Sequence, residues 1–163
     1  MSASFLGSWT GCSALPHSPK GSGWEWRAGC TKVATAMSPC RVLVIDDNEA
    51  HRQVVAEVLA DEGYQVAIAA SGEAGLAAAR AVRPDVLLLD LLMPGMDGAS
   101  VLEELRRDAD LAGVRVVVTT GVQTPHVKRL LHPDAVLFKP FGVSELLRAV
   151  EDAVKGPPSL PAP

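Results

Sequence analysis

A set of side chains able to act together stands at the ends of short apolar runs. Asp46 and Asp47 follow Val42-Leu43-Val44-Ile45, and Asp90 closes Asp85-Val86-Leu87-Leu88-Leu89. Thr119, Thr120 and Gly121 end a third run, and Lys139-Pro140 ends a fourth. Crowded carboxylates raise one another's pKa unless a cation intervenes. Oxygen donors with positions left for water suit Mg²⁺, which binds through one or two carboxylates plus phosphate oxygens. A carboxylate beside such an ion is also a nucleophile towards phosphorus. The charge that develops on a phosphoryl group in transfer calls for a hydroxyl and an ammonium at its flanks.

Each residue alone has an ordinary explanation. An Asp pair after a strand is commonly a turn or a helix cap, a strand-end Thr reflects β-propensity, and one Lys-Pro carries almost no information. Their joint order, at the ends of alternating units, is what points to a site. His51, His126 and His132 could be phosphodonors or ligands, but their surroundings fit solvent-exposed helix or loop histidines. Glu103-Glu104 and Arg106-Arg107 read as a solvated helix face.

The elements that must position these groups alternate. Strands are expected at 42–45, 65–69, 85–90, 114–119 and 135–138 from short apolar runs. Helices are expected at 49–62, with Gly63 at the left-handed C′ position, and from the Ser71 cap to before Pro84. Further helices are expected at 99–108, briefly at 125–131, and at 143–154. Five βα units in succession predict an α/β protein: a doubly wound parallel sheet with helices on both faces. Ligands of such sheets sit beyond the carboxyl ends of the strands, where strand order reverses. The acids, Thr119, Thr120 and Lys139 all fall there.

The chain of 163 residues is 48% apolar, enough for one domain without disulfides or structural metal. A net charge of −4 and no basic run argue against nucleic acid and anionic membranes as partners of the folded part. Cys12, Cys30 and Cys40 lack the spacing of a metal or redox motif and fit a reducing compartment. No apolar run approaches the ~20 residues of a membrane span, and no secretory signal is evident. A cytoplasmic protein is expected. Residues 1–39, rich in Gly, Ser and Thr, hold Trp9, Trp24 and Trp26 without an apolar frame. They could be a partner-binding arm. A disordered extension is the preferred expectation, because nothing there offsets the entropy of folding; Met37 would then be a natural beginning. Residues 156–163 form a Pro-rich tail that cannot continue a helix.

Asp46-Asp47 after an apolar strand, Asp90-Leu91-Leu92-Met93-Pro94-Gly95-Met96-Asp97-Gly98, and Lys139-Pro140-Phe141 together resemble the receiver domains of two-component response regulators. The resemblance covers residues 40–155. It implies a flavodoxin-like (βα)5 fold with strand order 2-1-3-4-5. Asp90 would accept a phosphoryl group from a sensor histidine kinase or phosphotransfer protein. Asp47, Asp90 and the backbone carbonyl of Leu92 would bind Mg²⁺ directly, with Asp46 acting mainly through water. Thr120, followed by Gly121, matches the family's switch hydroxyl, and Lys139 would contact the phosphoryl oxygens. The chain would catalyse only its own phosphorylation and slow dephosphorylation. A downstream protein would read the switched surface, with a phosphorylation-dependent homodimer as one form of output.

Three departures from the family pattern stand out. Val136 occupies the position of the usual Tyr or Phe, and Phe138 is not expected to replace it. The segment from Thr120 to Lys139 is short, so the fourth helix should be short or irregular. Leu92 and Val122 are apolar where the family tunes dephosphorylation, which predicts slow hydrolysis. The favoured expectation is a stand-alone phospho-switch without an output domain on this chain, or else a fragment of a larger regulator. The alternative is a phosphorylation-independent docking module, which the missing aromatic favours and the intact acids oppose. A Mg²⁺-dependent phosphatase with an aspartyl nucleophile ranks last, since that chemistry wants Asp-x-Asp after the first strand.

Overall fold

A computed structural model describes residues 20–27, 39–122 and 126–156. In chain order the elements are β1 (Trp24–Arg27), β2 (Arg41–Ile45), α1 (Glu49–Asp61), β3 (Gln65–Ala69), α2 (Gly72–Val82) and β4 (Val86–Asp90). They continue with α3 (Gly98–Arg107), β5 (Arg115–Thr120), α4 (His126–Leu131), β6 (Ala135–Phe138) and α5 (Val143–Lys155). The sheet order is β1-β3-β2-β4-β5-β6. Strands β2 to β6 pair in parallel, in the 2-1-3-4-5 order expected of a flavodoxin-like fold once the extra leading strand is set aside.

Alternation along the strands builds two cores. Leu43 and Ile45 of β2 join Leu87 and Leu89 of β4 beneath α2 and α3, while Val42, Val44 and Leu88 pack beneath α1 and α5. All five residues of β4 are buried, as a strand covered by helices on both faces requires. Helix starts follow the caps. The Asn48 side chain accepts from the His51 N–H at 3.0 Å, Ser71 from Ala74 at 3.2 Å, and Asp97 from Ser100 at 2.8 Å. Gly63, at φ +93°, takes the left-handed position after α1. Helix α4 is short, as the brief segment before β6 predicted.

The expectation of disorder over residues 1–39 is corrected at residues 20–27. Here β1 runs antiparallel to β3, from Trp24 opposite Ala69 to Arg27 opposite Val66. Trp24 is buried in the core that also holds Ile45, Ala69 and Leu76. The apolar frame missing from the local sequence is supplied by β3 and α2, and the open edge of β3 supplies the hydrogen bonds. Residues 1–19 and 28–38 and the tail beyond residue 156 lie outside the described residues. Among the described residues, no helix is long and apolar enough to cross a membrane.

Candidate functional site

Strands β2, β4, β5 and β6 end at the same edge of the sheet, because parallel registry aligns their carboxyl ends. Asp90 pairs with Thr119 in that registry. The structure thereby gathers Asp46, Asp47 and Asp90, with one carboxylate oxygen from each lying within 4.8 Å of the others. Asp46 and Asp90 are buried, and Asp47 is exposed.

Lys139, at the end of β6, places its Nζ 3.0 Å from Asp46 Oδ2 and 2.9 Å from Asp90 Oδ2. Burial pushes the Asp46 carboxyl up. Hydrogen bonds from Lys139, the Asn48 N–H and His51 more than offset this and hold it below the usual carboxylate range. Burial likewise pulls Lys139 down, while its bonds to Asp90 and Asp46 leave it above the ordinary lysine value. Two buried acids thus share one ammonium, with a third acid at the rim.

The loop after β4 is shaped by its own backbone. Leu91 N–H donates to the Thr119 carbonyl at 3.1 Å, Gly98 N–H to the Leu91 carbonyl at 3.1 Å, and Leu92 N–H to Asp90 Oδ1 at 3.2 Å. Met93 is buried and anchors the loop, whereas Leu92 faces solvent. A Cβ on Gly98 would stand 2.4 Å from the Asp90 carbonyl oxygen, so only glycine admits this close approach. Thr120 is buried at the end of β5, and its Oγ1 accepts from the Val122 N–H at 3.1 Å. Val136 is half-buried on β6 and Phe138 is exposed.

One neighbour of the acids departs from its expected place at the surface, and another was not foreseen. His51 is not a free surface histidine: its Nδ1 lies 2.6 Å from Asp46 Oδ2, and its ring meets Phe141 edge to face at 5.3 Å. Arg52 is buried and donates from its guanidinium to the Asp46 carbonyl at 2.7 Å. The available signal was their place in the first turn of a helix entered directly from the Asp pair. His132 is exposed, and the His126 side chain lies outside the described residues.

The donor set is oxygen only, acidic and partly open to water, which fits Mg²⁺ rather than a softer ion. Residues 42–151 match the family model of the response regulator receiver domain. The chain belongs to that family. This receiver domain is 38% identical over 114 residues to the DNA-binding response regulator MtrA of Mycobacterium tuberculosis (strain ATCC 25618 / H37Rv), covering 68% of this chain and 48% of the relative. It is 40% identical over 109 residues to a response regulator receiver protein of Anaeromyxobacter sp. (strain Fw109-5), covering 66% and 45%. The match thus spans about half the length of these curated relatives. The receiver fold also superposes on the Vibrio cholerae chemotaxis protein CheY4, with TM-score 0.68, 29% identity, and 71% and 99% of the two chains covered. A CheY-like receiver protein of Methanospirillum hungatei JF-1 gives TM-score 0.66 at 28% identity, covering 72% and 94%. The strand β1 lies before the span matched by the family model.

Proposed function

We propose that this receiver domain takes a phosphoryl group onto Asp90 from a phosphohistidine of a kinase or phosphotransfer protein, and that the change is read by a protein partner. The carrying observation is the convergence of the Asp90 and Asp46 carboxylates on the Lys139 ammonium, with Asp47 completing an oxygen cluster at the open edge of the sheet. An Asp90 carboxylate oxygen attacks phosphorus, an O–P bond forms and the donor's N–P bond breaks. The electron pair leaves with the imidazole, which takes a proton from solvent, and the product is an acyl phosphate. Lys139, already 2.9 Å from Asp90, follows the charge onto the phosphoryl oxygens. Asp47, Asp90 and the Leu92 carbonyl would hold Mg²⁺, with Asp46 acting through water, and the ion would supply charge neutralisation at those oxygens. Thr120 would offer its hydroxyl to the product once its bond to the Val122 amide is released.

In this reading the chain turns over no external substrate beyond its own phosphorylation and dephosphorylation, and it works in the cytoplasm. DNA binding, named for the mycobacterial relatives, is no part of it, given the net charge of −4 and the lack of a basic run. Incubation with acetyl phosphate and Mg²⁺ should give a single phosphoryl adduct by intact mass, absent in Asp90→Asn and without metal. A folded, Mg²⁺-binding protein that forms no adduct would sink the proposal. It would favour the docking-module reading, which Val136 on β6 and the outward Phe138 support.

A further inference from the structure

We infer that His51 is a positioning residue for Asp46, whose hydrogen bond sets which carboxylate oxygen stays open in the acidic cluster. The inference rests on the phosphoacceptor reading and adds a residue to its metal site.

A carboxylate can only accept, so the 2.6 Å contact requires that His51 Nδ1 carry the ring proton and donate it to Asp46 Oδ2. The same oxygen accepts from Lys139 Nζ at 3.0 Å, and Oδ1 accepts from the Asn48 N–H at 2.8 Å. With two lone pairs on each oxygen, Oδ2 is filled and Oδ1 keeps one free position for water or an ion. His51 therefore takes the second position on Oδ2 and leaves Oδ1 as the oxygen with room. The Arg52 bond to the Asp46 carbonyl fixes the main chain and leaves the side-chain rotamer to His51, Lys139 and the Asn48 N–H.

The other side of the imidazole meets Phe141, with ring planes at 72°. Phe141 is two residues beyond Lys139, whose ammonium shares Asp46 Oδ2. One ring thus touches both the acid and the segment that carries the ammonium. A partner that orients a ligand-bearing carboxylate commonly contributes about 10–100-fold to metal affinity. Because Asp46 would act through water, the lower end of that range is expected.

Two variants separate the hydrogen bond from the ring contact. His51→Phe keeps an aromatic ring against Phe141 and loses the donor. His51→Asn places a side-chain N–H near the Nδ1 position and loses the ring. The readout is MgCl2 affinity of the full-length protein, followed by backbone amide shifts at fixed pH, with thermal unfolding to confirm that each variant folds. The expected result is about tenfold weaker binding in His51→Phe, largely restored in His51→Asn. The phosphorylation deficit of His51→Phe should shrink at saturating MgCl2. Wild-type affinity in His51→Phe, or equal weakening in both variants, would overturn the inference. Wild-type protein that binds Mg²⁺ without forming an Asp90 adduct would overturn the function proposed above and leave this test valid. Wild-type protein that binds no Mg²⁺ would overturn both.

Discussion

Leu92 and Val122, two positions beyond Asp90 and Thr120, are 62% and 44% exposed. Neither can accept a proton from water or align it for attack on an acyl phosphate, so general-base assistance must come from elsewhere. Phospho-Asp90 should therefore lose its label slowly, and Leu92→Asn or Val122→Asn should speed the loss; decay of the phosphorylated mass in metal-containing buffer measures both. Rapid decay in the wild type would mean that another group aligns the water. The acids and Lys139 were legible at this scale because each sits where a strand must end. His51 was not. Its spacing from Asp46 matches any first-turn residue, and only the curl of the loop at Asn48 brings its ring back to the carboxylate.

The loop and edge elements carry the less visible constraints. Gly98 begins α3 directly behind the Asp90 carbonyl, and the Leu91 Cα would lie 2.8 Å from an added Cβ. Gly98→Ala must push backbone apart, so it should cost about 1–3 kcal/mol and lower the phosphorylation rate, as seen by urea unfolding and the mass assay together. Trp24 is 4% exposed against α2 and β3. Trp24→Ala should cost up to about 3–5 kcal/mol, towards the lower end because β1 is a short edge strand. Unchanged stability would show that β1 contributes nothing. The parallel units were readable from their own apolar runs and caps. Strand β1 was not, since its four residues become a strand only by pairing with Val66–Ala69, some forty positions away.

Across the whole molecule, titration should bound stability on both sides. Asp46 and Asp97 are held below the ordinary carboxylate value, Asp97 by its bonds from Ser100. The folded state gives up these protons more readily than the unfolded chain, so their contribution is complete above about pH 4 and lost as pH falls further. Burial, with Asp85 nearby, pushes the Cys40 thiol from 9.0 to about 11. Burial also raises Tyr64, and the acids raise Lys139 despite burial. Groups with raised values stabilise below their unfolded pKa and lose that contribution as pH climbs to the folded one, so decline should begin near pH 9. Urea midpoints against pH should show a plateau between these limbs, with Asp46→Asn blunting the acid side and Cys40→Ala delaying the alkaline side. A wild-type curve still rising above pH 9 would contradict the assignment.

Strand β1 also redraws where this domain starts. A recombinant piece cut to the family span, residues 42–151, would discard β1 and leave the amide and carbonyl groups of β3 open along one border. Such a border is a template for another chain. Pairs of that shortened protein would form by strand annealing at the vacated border, whether or not Asp90 carried phosphate. Self-association counts as a signalling output only when it persists in protein that retains residues 20–27.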